Sequence, residues 1–191
     1  MARKLLVIDG HPDRDRGRFV HALADAYVEG AAEAHEVRRI NVAELDFPIL
    51  RSQHEWAELE APPAIRDAQE AVRWADHVVL LYPMWLGDVP ALLKAFLEQV
   101  MRPNFAFAYV NELREKLLEG RSGRVVVTMG MPALFYRLIY RAHSLRSLER
   151  NILKFVGIDP VATTIIGSVE GDAADRQRWL HELRELGRQA S

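Results

Sequence analysis

In the stretch "GHPDRDRGRF", residues 10–19, the cations Arg14, Arg16 and Arg18 alternate with Asp13 and Asp15. The stretch joins an apolar run, Leu5–Ile8, to a helical pattern that starts at Phe19. A helix N-terminus exposes backbone N–H groups and the positive end of a dipole, so it favours an anion. His11 and Gly17 let the chain turn and present more donors. A phosphate suits such a junction. No Gly-Lys-Ser/Thr follows and no Gly-x-Gly-x-x-Gly is present, so neither nucleotide-binding motif applies. The alternative is a solvated, charged turn without a ligand.

Two further stretches carry residues of the same kind. In "YPMWLGDVPALLKAFLEQV", residues 82–100, Pro83 and Pro90 bracket Trp85, Leu86 and Gly87. Pro90 suits the first turn of a helix, where its missing N–H costs nothing. A wide apolar residue beside a glycine, held stiffly, makes a wall for a planar ring, and the backbone N–H groups reach the ring's polar edge. The alternative is that Trp85 caps the core. In "TMGMPALFY", residues 128–136, Thr128 offers a hydroxyl, Gly130 permits close backbone approach and Pro132 stiffens the turn. Local packing of these side chains is the alternative there. Phosphate donors, a flat apolar wall and small residues with amides together describe a site for a phosphorylated planar heterocycle. Flavin mononucleotide, or the flavin half of the dinucleotide, meets that description.

The elements that must position these loops are legible in the hydrophobic pattern. Leu5–Ile8, Glu36–Val42, His77–Tyr82, Arg124–Thr128 and Val161–Ile166 read as strands. Continuous apolar runs such as Val78–Leu81 are typical of parallel strands covered on both faces. Helical patterns cover Phe19–Ala34, Ala64–Trp74, Ala91–Val100, Leu138–Phe155 and Ala173–Leu186. Leu45–Ala61 reads as an irregular, candidate functional loop. Phe105, Phe107 and Tyr109 alternate as a short extended excursion, and Leu113–Glu119 reads as a helical turn stopped by Gly120.

Strand and helix alternate five times, which predicts an α/β fold: an open parallel sheet with helices on both faces, in one domain spanning residues 1–191. Such sheets bind ligands outside the carboxyl ends of their strands. The three stretches above follow the first, third and fourth strands.

Composition narrows the partners. The formal net charge of −2, with both signs mixed along the chain, argues against a nucleic-acid binder. Nearly half the residues, 49%, are apolar, enough for a sizeable core. The absence of cysteine removes disulfides, thiolate metal sites and cysteine nucleophiles. The histidines lack metal-ligand spacing, so no metal is assigned. Leu5–Ile8 is too short for a signal-peptide core, and no stretch approaches the roughly 18 apolar residues of a membrane span. A cytoplasmic protein is expected.

Nearly the whole chain resembles the flavodoxin-like NAD(P)H:quinone oxidoreductases, including the small bacterial quinone reductases and the potassium-efflux ancillary oxidoreductases. The resemblance runs from "LLVIDGHP" through "WADHVVLLYPMWLGDVPALLKAFLEQV" and "RVVVTMGMP" to "ILKFVGI". It implies a flavodoxin-like doubly wound sheet of five parallel strands, FMN or FAD as cofactor and NAD(P)H as co-substrate. It also implies a quinone-like acceptor and a homodimer, with Phe105–Tyr109 and Leu134–Tyr140 as apolar stretches suited to an interface. His11, Gly17, Arg18 and Phe19 would face the flavin phosphate. Pro83, Met84, Trp85, Leu86 and Gly87 would wrap the isoalloxazine ring, and Thr128, Met129 and Gly130 would meet its other polar edge. Tyr136 falls where relatives place a catalytic tyrosine, and His143 lies about one position from their histidine. Packing for Tyr136 and a helix surface for His143 are the alternatives. Gly17 and Val20 replace the Ser and Asn of relatives, which bears on flavin affinity. A flavin-binding regulatory subunit of a membrane transporter is the alternative function, because one fold serves both roles.

Overall fold

The inner strands of the sheet carry continuous apolar runs, Leu5–Ile8 and Val78–Leu81, because helices cover both of its faces. In a computed structural model describing residues 1–191, the chain runs β1 (Lys4–Asp9), α1 (Phe19–Ala32), β2 (Glu36–Asn41), α2 (Gln53–Ala57), α3 (Pro63–Trp74), β3 (His77–Pro83) and α4 (Ala91–Val100). It continues with β4 (Phe107–Val110), β5 (Leu113–Lys116), β6 (Arg121–Thr128), α5 (Ala133–Leu138), α6 (His143–Leu148), α7 (Lys154–Val156), β7 (Ile158–Ile166) and α8 (Ala173–Arg188). The main sheet has the order β2-β1-β3-β6-β7, and every pair in it is parallel. This is the expected flavodoxin-like sheet. No helix is long and apolar enough to cross a membrane.

Successive side chains of a strand point to opposite faces, so each strand feeds two cores. Leu6, Ile8, Val78 and Leu80 enter the larger core under α3, α4 and α6. Leu5, Val7, Val79 and Leu81 enter the smaller one under α1 and α8. On that second face two glycines let the helices touch. A Cβ on Gly30 would lie 1.9 Å from the Arg184 carbonyl oxygen, and one on Gly187 would lie 2.2 Å from that of Tyr27.

Three expectations need correction. Residues 113–119 do not form a helical turn. Leu113–Lys116 pairs antiparallel with Phe107–Val110, because Asn111 and Glu112 both take positive φ (50° and 65°) and reverse the chain in two residues. The pairing lays the Phe107 ring against Trp56 and Phe155.

The expected helix over Leu138–Phe155 is broken. The chain kinks after α5, with Arg141 and Ala142 at φ 52° and 48°, and resumes as α6, which passes through a π turn at Glu149–Leu153 into α7. The break serves Tyr136. In an unbroken helix Tyr136 and Ser144 would lie about 12 Å apart along the axis. Here their hydroxyls are 2.7 Å apart.

The third correction concerns residues 45–61, which hold the short helix α2, capped by Ser52 accepting from the Glu55 amide. Gln99 donates to the Pro48 carbonyl and Arg102 to that of Leu59, so the segment is tied to α4 and its end.

Candidate functional site

The chain leaves β1 in one direction to make β2 and returns past it to make β3. The connections at the carboxyl ends of β1 and β3 therefore diverge and leave a crevice between them. Residues 10–18 form one wall and residues 84–90 the other. The rings of His11 and Trp85 meet edge-on across it, with centroids 6.1 Å apart.

A buried charge cluster fixes the first wall. Asp9, the last residue of β1, is fully buried. Its Oδ2 accepts from His21 Nδ1 at 2.6 Å and from Arg39 at 2.7 Å, and its Oδ1 accepts from the His11 amide at 3.2 Å. Arg39 also pairs with Asp25 of α1 and donates to Asn41, which ties β1, β2 and α1 together. His21 Nε2 lies 2.9 Å from the Asp13 carbonyl oxygen. Both partners of the His21 ring are oxygen acceptors. His11 differs. Its Nδ1 accepts from the Asp13 amide at 3.0 Å, which leaves the proton on Nε2. Burial, and then the charge of His21, push its imidazole below the ordinary histidine range. His11 is thus a neutral ring with one N–H to offer.

The expected phosphate residues are partly engaged already. The Gly17 amide donates to Asp15 Oδ1 at 2.9 Å, and the Asp15 amide donates to Asp13 Oδ1 at 2.9 Å. Arg18 donates to Asp13 at 2.8 Å and lies 3.6 Å from Asp15. The Asp15 amide and the Arg18 guanidinium hold the Asp13 carboxyl below its usual range. What remains open is the first turn of α1. No side chain caps this helix, and the amides of Phe19 and Val20 have no partner. The Phe19 ring turns toward α8, with the Arg176 guanidinium 5.7 Å above it.

The second wall is a tight reversal. The Trp85 amide donates to the Asp88 carbonyl and the Asp88 amide to that of Trp85, both at 3.0 Å. Leu86 and Gly87 between them take φ of 48° and 82°, and their amides are free. The Trp85 side chain is 51% exposed, which sets aside a core-capping role, and Leu86 is fully exposed. Pro83 ends β3, and the Met84 amide donates to the Thr128 carbonyl at 2.8 Å, which joins this wall to the end of β6. There Thr128 is buried and Met129 points into the core. Gly130 is exposed, and a Cβ added to it or to Gly87 would meet nothing within 4 Å. The crevice is open at both glycines.

The two residues expected to be catalytic lie differently. Tyr136 is 1% exposed; its hydroxyl lies 2.7 Å from Ser144 Oγ and accepts from the Leu145 amide at 3.2 Å. His143 stays on the surface and stacks against Tyr140, with centroids 6.4 Å apart. The exposed phenol of this stretch is Tyr140.

Sequence reasoning missed the Asp9–His21–Arg39–Asp25 cluster. The available signals were a carboxylate closing a wholly apolar run and an arginine inside a strand. A cavity of about 680 Å³ was missed as well. It lies outside the crevice, between α2, α4 and the β4–β5 hairpin, and is lined by Trp56, Leu97, Met101, Phe107, Tyr109 and Phe155 among others. A second hollow of about 440 Å³ beside Trp85 and Leu86 shares Lys94, Ser147 and Ile152 with it, so one groove runs from the crevice wall along α4.

The model of the family described as having a flavodoxin-like fold matches residues 3–188. The FMN-dependent NADH:quinone oxidoreductase 3 of Pseudomonas aeruginosa is 28% identical over 98% of this chain and 92% of its own. The structure of the NAD(P)H:quinone oxidoreductase from Methanothermobacter marburgensis superposes with a TM-score of 0.84 at 26% identity, covering all of both chains. That of an FMN-dependent NADH-azoreductase from Bacillus anthracis, solved in complex with FMN, superposes at 0.76. It is 18% identical, covers 99% of this chain and all of its own, and shares the fold.

Proposed function

The chain belongs to the family with the flavodoxin-like fold, and from that premise we propose that it is a flavin-dependent oxidoreductase. It takes a hydride from NAD(P)H and reduces a quinone or a similar two-electron acceptor. The observation that carries this reading is the crevice at the switch point of the sheet. It offers open amides at the α1 N-terminus on one side and an exposed indole beside free amides on the other. The two full-length quinone oxidoreductases similar to this chain support the same reading. The FMN-dependent relatives favour the mononucleotide over FAD.

The residues present fit such a cofactor. The amides of Phe19 and Val20, with His11 Nε2, are the donors that would hold its phosphate. Trp85 would lie against its ring, and the spaces above Gly87 and Gly130 would admit the ring's edges. When bound, the flavin supplies two-electron chemistry between nicotinamide and acceptor. The protein supplies placement and charge. The free N–H groups of Leu86 and Gly87 are fixed donors that would stabilise negative charge on a ring held beside Trp85 without reorganisation. The Asp9–His21–Arg39 cluster touches no ligand but holds the His11 amide and the Asp13 carbonyl, and so sets the shape of the phosphate wall.

The finer assembly in this reading is a homodimer. The groove from Trp85 along α4 to Phe107 and Tyr109 is apolar and unfilled, and a second copy seated there would close the crevice. The regulatory-subunit alternative gains nothing from the relatives, which are named as oxidoreductases.

The test is a visible absorption spectrum of the purified protein and of the apo form after addition of FMN. NAD(P)H oxidation is then followed with and without a soluble quinone. A flavin spectrum with quinone-dependent turnover supports the proposal. A protein that binds no flavin overturns it.

A further inference from the structure

The loop that forms the first wall answers its own donors with its own acids. The Asp15 carboxylate folds back onto the turn: its Oδ1 accepts from the Gly17 amide at 2.9 Å and would lie 3.2 Å from a Cβ placed on that glycine. Asp13 Oδ1 accepts from the Asp15 amide, and Asp13 Oδ2 meets both Nε and Nη2 of Arg18, at 2.8 and 2.7 Å. Arg16 reaches Asp25 of α1, and Arg14 donates through Nε to the Ala43 carbonyl. Phe19 and Val20, the first two residues of α1, bring no side-chain donor. A phosphate at this wall is left with the two amides of that turn and His11 Nε2.

The two acids already give Gly17 and Arg18 what a phosphate would give them. The Asp15 amide, and then the Arg18 guanidinium, hold the Asp13 carboxyl below its usual range, so it is ionised at neutral pH. A phosphate that reaches for Arg18 or Gly17 must displace a carboxylate and then lie beside it, and like charges at such range repel. Both walls meanwhile keep their shape through bonds within the chain. Asp9 holds His21 and Arg39 under the first, and the Trp85 and Asp88 amides and carbonyls close the second. A ligand can enter and leave without refolding either wall.

We propose that Asp13 and Asp15 keep FMN exchangeable, so that this protein also acts as an NAD(P)H:flavin reductase that releases reduced FMN. The proposal rests on the flavin reading of the crevice. NAD(P)H gives a hydride to FMN, one proton is taken from water, and NAD(P)+ and two-electron-reduced FMN leave. The released flavin passes its two electrons to an acceptor in solution, a quinone or dioxygen among them. Acceptors too large for the crevice are served in this way.

FMN, and riboflavin, which has the ring without the phosphate, are titrated into the full chain by fluorescence. The wild type is compared with Asp15→Asn and with the double variant Asp13→Asn, Asp15→Asn. Asparagine keeps an acceptor for each amide and removes only charge. Both side chains are at least 38% exposed, so unchanged thermal unfolding confirms an intact fold. FMN is expected to bind about threefold tighter for each carboxylate removed and about tenfold for the pair. Riboflavin is expected to bind all three proteins alike. Unchanged FMN affinity overturns the role of the two acids, and so does equal tightening of both flavins, which reports a change of loop shape. Release is read across a dialysis membrane without oxygen. Protein, NADH or NADPH, and FMN equal to the protein stand on one side, and cytochrome c on the other. A chamber without protein sets the background. The cytochrome is expected to be reduced by the wild type and several times more slowly by the double variant. A cytochrome that stays oxidised although FMN binds overturns the flavin-reductase activity. A protein that binds neither flavin fails the flavin reading itself, which the titration tells apart from retained flavin.

Discussion

The two ends of the main sheet both carry buried or half-buried ionisable groups but treat them in opposite ways. At the amino end, Arg3 donates to Ser122 and to the carbonyls of Ala190 and Asp76. Arg121 donates to the carbonyls of Val72, Arg73 and Glu119, and His77 Nδ1 meets Ser122 Oγ at 2.7 Å. Those side chains seal chain ends and loops onto the strands. At the carboxyl end, Asp9, His21 and Arg39 neutralise one another and leave the neighbouring amides of α1 and the Trp85 loop open. One end is a lock and the other a seat. The difference follows from where the side chains spend their hydrogen bonds: on backbone carbonyls at one end, on each other at the other.

The strongest way to break the contrast is Asp9→Asn. It keeps the shape but leaves the Arg39 guanidinium facing an amide in place of a buried carboxylate, at a cost of about 3–5 kcal/mol. Urea unfolding should show that loss, and flavin affinity should fall with it as the first wall loosens. If stability is unchanged, the cluster is not what shapes the site.

The lock is tested by pH. Burial pushes the His77 imidazole down to about 4. Above about pH 6.5 His77 is neutral in both the folded and unfolded chains. As pH falls from there toward 4, the unfolded chain takes up a proton that the folded chain refuses, so stability drops by about 3 kcal/mol over that window. His77→Asn should flatten this part of a stability profile and leave flavin binding as it was. His11 contributes with the same sign at the other end, since its imidazole is also pushed down.

The seat is tested by Trp85→Ala. With the side chain 51% exposed, the change should alter stability by less than about 0.5 kcal/mol. Loss of ring stacking should weaken flavin binding about tenfold or more, read by fluorescence titration. The smallest expected effect has the opposite sign. Asp15→Ala frees the Gly17 amide from its carboxylate and removes a negative charge beside the phosphate wall. Flavin should bind a few times more tightly. Weaker binding would mean that Asp15 organises the loop rather than competes for it.

Much of this architecture was readable from the chain. The five expected strands became the five parallel strands, most plainly at Leu5–Ile8 and Val78–Leu81, where burial on both faces leaves no place for polar residues. The three loops rich in small, aromatic and charged residues fall at one edge of the sheet, as the alternation of elements requires. Leu113–Glu119 misled because its leucines sit at helical spacing, while the reversal at Asn111 and Glu112 rests on two positive φ angles in residues other than glycine. For Tyr136, residue type and spacing show nothing of its neighbours: the kink at Arg141 and Ala142 brings Ser144 to its hydroxyl.

The sequence by itself determined the alternation of strands and helices in the main sheet, the common direction of its five strands and which loops gather at the carboxyl edge. These depend on local periodicity and on the handedness of parallel crossovers. Tertiary structure alone decided which donors are free. Asp9 finds His21 and Arg39 through a helix crossing and a strand register, Lys4 to Glu36 through Asp9 to Asn41, that join residues up to 30 positions apart. Hydrogen-bond partners are chosen by distance in space, and neither residue type nor spacing along the chain encodes which N–H is already taken.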